Sequence, residues 1–153
     1  MTFIEKINKQ LLPQPNSEYK ILDLFAGCGG LSLGFEAVGF HSAGYEMDVK
    51  AAETYNHNLK GHCFAQKLSI DTIYENNFDV VIGGPPCQSW SEAGSKKGIA
   101  DKRGQLFYEF MRILADKKPK FFLAENVSGM LLPAHKEALA NIKQMFTDIG
   151  YDL

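Results

Sequence analysis

A chain of 153 residues, 45% hydrophobic and 22% charged, holds enough apolar material for one domain with a real core. A formal net charge of −2 gives no bulk attraction to nucleic acid, so any such surface must be local. Three cysteines without the paired short spacings of a zinc site, and no apolar run near the roughly 20 residues that span a bilayer, make this a soluble protein of a reducing compartment, expected without metal or membrane partners.

Residues 1–18 are polar and punctuated by Pro13, Pro15, Asn16 and Ser17. They read as a lead-in, with helical spacing of Phe3, Ile4, Ile7 and Leu11 marking a short first helix. From residue 19 to 153 the pattern alternates. Strand-like apolar runs are expected at 21–25, 41–45, 62–65, 80–82 and 121–124, and helices at 31–38, 49–58, 105–117 and 136–149. Residues 150–153 resemble the start of a further strand. Alternation with short connections predicts an α/β fold, a doubly wound and mostly parallel sheet, and such sheets bind ligands beyond the carboxyl ends of their strands.

The first strand runs into Phe25-Ala26-Gly27-Cys28-Gly29-Gly30-Leu31. A glycine-rich turn opening a helix cradles a dinucleotide or another adenosine-bearing cofactor, or serves only close strand–helix packing. The second strand ends at Glu46, 16 residues after Gly30, where a carboxylate accepts both ribose hydroxyls and Met47 offers a soft surface to a purine. Glu46 also suits a plain charge at a helix start, since Asp48 is a good N-cap.

After the fourth strand comes Gly83-Gly84-Pro85-Pro86-Cys87-Gln88-Ser89-Trp90-Ser91. Two glycines let the backbone turn, two prolines stiffen it, and a thiol is held out at a strand end. That is a good place for a nucleophile, or a turn whose cysteine simply packs. Residues 88–104 form a long connection with a local basic cluster, Lys96, Lys97, Lys102 and Arg103. It reads as a lid over a phosphate-bearing polymer or as a solvated loop. The fifth strand delivers Glu125-Asn126-Val127, a carboxylate expected in partly apolar surroundings and facing the same crevice as Cys87, or else capping the next segment.

In order and spacing, residues 23–36, 83–91 and 125–127 resemble three signature motifs of the DNA (cytosine-5) methyltransferases, and the run 83–95 with Arg103-Gly104 and Leu106-Phe107 is most similar to bacterial restriction–modification enzymes that methylate GGCC. The resemblance implies a Rossmann-like S-adenosylmethionine-dependent fold, incomplete at its C-terminus, in a cytoplasmic bacterial enzyme acting on double-stranded DNA. It implies Cys87 as the nucleophile at carbon 6 of cytosine and Glu125 at ring nitrogen 3. For S-adenosylmethionine it implies Phe25 against the adenine, Ala26, Gly27, Gly29, Gly30 and Leu31 lining the turn, Glu46 on the ribose and Met47 on the base, with Pro86 and Leu106 as further contacts. Gln88, Ser91 and Arg103 fall to the DNA, whose target base must leave the duplex.

The family usually has an Asp at the end of the third strand; here Gln66 stands in the matching stretch and offers its carbonyl to the adenine amino group. An Arg-containing motif and a target-recognition region are expected from a complementing chain or a longer protein. Two other readings share these residues: a cofactor-binding fragment or subunit without turnover, and a cytosine-5 methyltransferase acting on transfer RNA.

Overall fold

The computed structural model describes residues 1–74, 77–86 and 104–153. Its elements are α1 (Phe3–Gln10), β1 (Lys20–Leu24), α2 (Gly30–Ala37), β2 (His41–Glu46), α3 (Val49–Asn58), β3 (His62–Ala65), β4 (Val80–Gly83), α4 (Gly104–Lys117), β5 (Phe121–Ala124), two 3-10 turns (Ser128–Leu131 and Pro133–His135) and α5 (Lys136–Asp148). The strands form one sheet in the order β3-β2-β1-β4-β5. β1 pairs in parallel with both β2 and β4, and β2 with β3. Strand order reverses at β1, the hallmark of a doubly wound sheet.

Two compact units divide the described chain. The first comprises Met1–Leu68, Ile73–Gly83 and Pro119–Leu123. Ile21, Leu22, Asp23 and Leu24 are all buried, as expected of a central strand covered on both faces. One cluster joins Ile21, Val80 and Ile82 to Leu31, Phe35 and Phe40. Another joins Ala26, Ala52, Tyr55, Leu59 and Cys63 to Leu33. Each such aliphatic or aromatic side chain contributes about 1.5–3 kcal/mol when fully removed from water.

Local chemistry sets the helix ends in this unit. Thr2 and Glu5 form a reciprocal capping box on α1. Asp48 caps α3 through the Ala51 amide at 3.0 Å. The lead-in is stitched to the end of α2, with Gln14 Nε2 donating to the Ala37 carbonyl at 2.9 Å and Ser17 Oγ to Gly39 at 2.9 Å. At the margin of the sheet, the Asn56 side chain donates to the Cys63 carbonyl at 2.9 Å and accepts from the Cys63 amide at 2.7 Å. A side-chain amide thus does for β3 what a neighbouring strand would do.

The second unit comprises Ser69–Thr72, Gly84–Lys118 and Ala124–Leu153. Phe107, Phe110, Met111, Ile113 and Leu114 of α4 are buried, as are Ile142 and Phe146 of α5. The Phe107 and Phe146 rings meet edge to face, 6.1 Å apart. Arg112 holds Glu109 through two hydrogen bonds of 3.0 and 2.6 Å.

Two sequence expectations are corrected. Phe25 is not the last residue of β1: its φ is +63°, a left-handed conformation that ends the strand at Leu24. Residues 150–153 do not start a strand. Gly150 takes φ +98°, its amide donates to the Thr147 carbonyl and the Tyr151 amide donates to Phe146. This is a Schellman stop on α5. No helix among the described residues is long and apolar enough to cross a membrane.

Candidate active site

The turn after β1 is built from left-handed backbone at Phe25, Gly27 (φ +54°) and Gly29 (φ +88°). Gly29 is the N-cap of α2, so the first-turn amides of Gly30 and Leu31 have no acceptor within the helix. The two sides of the turn differ. A Cβ built on Gly27 or Gly30 meets nothing within 4 Å, whereas one on Gly29 would lie 2.6 Å from Cδ2 of Tyr55. The turn is therefore packed tight on one side and open on the other, a cradle with room for a ligand where side chains are missing.

Glu46 locks this cradle. Its Oε2 accepts from the Gly27 amide at 2.9 Å and its Oε1 from the Asp48 amide at 2.8 Å. Each carboxylate oxygen keeps a lone pair for a further donor. The Gln66 amide donates to the Glu46 carbonyl at 2.8 Å, so Gly27, Glu46 and Gln66 form one hydrogen-bonded set at the ends of β1, β2 and β3. Met47 and the Gln66 side chain are exposed beside it, and Phe25 is half-buried. The Leu31 side chain packs on the Ile21, Val80 and Ile82 cluster, and its backbone lies in the first turn of α2.

Beneath the turn lies a set of buried polar groups that the sequence did not single out. Asp23 is 1% exposed. Its Oδ2 accepts from Ser32 Oγ at 2.6 Å, and its Oδ1 is buried without a hydrogen-bond partner. Burial pushes this carboxyl up to about 7, opposed by the Ser32 hydrogen bonds and aided by the Glu46 charge. Glu36, fully buried, accepts from Ser42 Oγ at 2.6 Å, the Gly61 amide at 2.7 Å and the Lys60 amide at 2.9 Å. The available signal was Ser32 and Glu36, polar residues four apart on one helix face. Cys63 is buried and its thiol pushed up to about 12, first by desolvation, so it is inert; Cys28 is exposed.

A further group of candidate residues belongs to the second unit. Asn126 Nδ2 donates to the Pro85 carbonyl at 2.7 Å across 41 residues of sequence, and Asn126 Oδ1 accepts from the Val127 amide at 2.9 Å. A Cβ on Gly84 would lie 3.2 Å from Glu125 Oε2. Glu125-Asn126 is thus pinned to Gly84-Pro85-Pro86, the segment leading directly into Cys87. Glu125 is exposed, in contrast to the apolar surroundings expected for it. Pro86 is exposed and Leu106 half-buried. Cys87, Gln88, Ser91 and Arg103 lie outside the described residues, as does most of the 88–104 connection. Among the described residues no group of three or more His, Cys, Asp or Glu side chains is placed to hold a metal ion.

Comparison with known proteins decides the family. Residues 19–153 match the model of the C-5 cytosine-specific DNA methylases. The chain belongs to the C-5 cytosine-specific DNA methylase family. This methylase chain is 50% identical over 147 residues to the Type II methyltransferase M.NgoPII of Neisseria gonorrhoeae, covering 92% of itself and 42% of that protein. It is 51% identical over 138 residues to M.FnuDI of Fusobacterium nucleatum, covering 88% and 40%. It therefore spans about two fifths of the curated relatives it matches. A crystal structure described as a DNA modification methyltransferase encoded within an E. coli prophage superposes with a TM-score of 0.65 at 30% identity, covering 86% of this chain and 38% of that one. The sheet described above is the methyltransferase sheet, as the sequence implied.

Proposed function

We propose that this chain supplies the cofactor turn and the chemical groups for transfer of a methyl group from S-adenosylmethionine to carbon 5 of cytosine in double-stranded DNA, acting together with the remaining three fifths of the family's polypeptide. The observation that carries this reading is the Asn126–Pro85 hydrogen bond at 2.7 Å, which ties the Glu125 segment to the one that presents Cys87.

The open side of the turn at Gly27 and Gly30 fits a ligand, and the donors and acceptors around it fit this cofactor. Glu46 has lone pairs left for the ribose hydroxyls, Met47 and Phe25 offer surface to the adenine, and the Gln66 carbonyl accepts from its amino group. Ala26, Gly29 and Leu31 act through the backbone, and Pro86 and Leu106 are further contacts. When bound, S-adenosylmethionine supplies an electrophilic methyl group. The Cys87 thiolate adds to carbon 6 of a flipped-out cytosine, which makes carbon 5 nucleophilic. Glu125 sits at ring nitrogen 3 and neutralises the charge that the addition creates. After transfer, loss of the proton at carbon 5 expels the Cys87 sulfur. Gln88, Ser91 and Arg103 hold the DNA around the vacated space.

DNA containing 5-fluorocytosine cannot lose that proton, so it traps the adduct. Mixed with cofactor and a fragment carrying the rest of the family's chain, the wild type is expected to give a covalent protein–DNA band. Cys87→Ala is expected to give none, and an equal band from that variant overturns the assignment. Binding of S-adenosylmethionine without any adduct would favour the turnover-free fragment. Methyl incorporation into transfer RNA but not DNA would select the RNA substrate.

A further inference from the structure

Tyr55 of α3 is fully buried and touches none of the motif residues in sequence, yet it underlies the turn. Its ring fills the space left by two missing side chains: a Cβ on Gly29 would lie 2.6 Å from Cδ2, and one on Gly44 of β2 would lie 3.0 Å from Cε2. Its hydroxyl donates to Ser42 Oγ at 2.7 Å, and Ser42 donates to Glu36 Oε1 at 2.6 Å. Gly29 is the N-cap of α2 and Glu36 lies in its last turn, so Tyr55 meets one end of the helix that the glycine turn opens with its ring and reaches the other through Ser42.

We propose that Tyr55 is a positioning residue for the cofactor turn, its ring setting the height of Gly29 and its hydroxyl joining the Ser42–Glu36 pair to the ring beneath the turn. The proposal rests on the cofactor reading of that turn.

The test compares the wild-type chain with Tyr55→Phe, which keeps the ring, and Tyr55→Leu, which loses it. Two readouts apply at a temperature where all are folded: calorimetric affinity for S-adenosylmethionine, and hydrogen exchange of the Gly27 and Gly29 amides in the free chain. Loss of one neutral buried hydrogen bond predicts roughly three- to tenfold weaker binding and faster exchange for Tyr55→Phe, with a larger loss for Tyr55→Leu. A purely structural tyrosine would lower the melting temperature and leave the affinity of the folded fraction unmoved. Unchanged affinity and exchange in both variants overturn the proposal. If the wild type does not bind the cofactor but exchange still quickens, the cofactor reading falls and the hold of Tyr55 on the turn stands. If neither occurs, both fall.

Discussion

The turn after β1 and the Gly84–Pro86 segment are held in opposite ways. Around the turn, buried carboxylates, a phenol and two serines fix the backbone from within, and Glu46 closes it from above. The segment before Cys87 carries two prolines and a long-range hydrogen bond from the Asn126 side-chain amide to the Pro85 carbonyl. The glycine turn is therefore part of the fold's own stability, whereas the segment leading into Cys87 is stiffened locally by its prolines. Substitutions in the two places should separate cleanly between stability and chemistry.

The largest effect is expected from Glu36→Ala. It leaves the Ser42 hydroxyl and the Lys60 and Gly61 amides without their acceptor, which costs on the order of 3–5 kcal/mol. Urea unfolding measures it. Gly29→Ala comes next, since φ +88° and a Cβ 2.6 Å from Tyr55 combine backbone strain with overpacking, worth about 2–3 kcal/mol. Gly27→Ala sharpens the contrast within the turn itself. Its Cβ meets no protein atom, so it should lose only about 1–2 kcal/mol of stability while weakening S-adenosylmethionine binding more than tenfold by calorimetry.

Asp23 gives the buried network a pH signature. Its carboxyl sits at about 7 in the folded chain against an ordinary 3.8. Between those values the folded state keeps a proton that the unfolded state has lost, so stability falls as pH rises from about 4 to about 7 and then levels off. Relative to the non-titrating Asp23→Asn, the wild type should lose ground across that window by at most about 1.4 kcal/mol per unit. Parallel denaturation series of the two proteins would show a flat difference if the shift is absent. The smallest effect on folding belongs to the other region. Asn126→Ala should cost about 1 kcal/mol or less, leave cofactor affinity alone, and slow 5-fluorocytosine adduct formation roughly tenfold or more by releasing the segment before Cys87. Equal adduct rates would remove the Asn126–Pro85 bond from the mechanism.

What could be read from the sequence follows from the range of the forces involved. β3, α3 and β5 fall on their expected residues because apolar runs and the Asp48 cap act locally. The glycine turn was legible because left-handed backbone demands glycine. Phe25 was not, since nothing local marks a phenylalanine for φ +63°. Glu36, Ser42 and Tyr55 escaped because burial of a polar group is decided by partners on other elements. The Asn126–Pro85 bond spans 41 residues and leaves no periodic trace.

The amide of Asn56 has a consequence for assembly. By occupying both outward groups of Cys63, it denies β3 the means to template another strand. At the opposite margin, Phe121 and Leu123 of β5 are 47% and 41% exposed. At Cys63, a side chain of α3 thus takes the place of a further strand at the sheet margin.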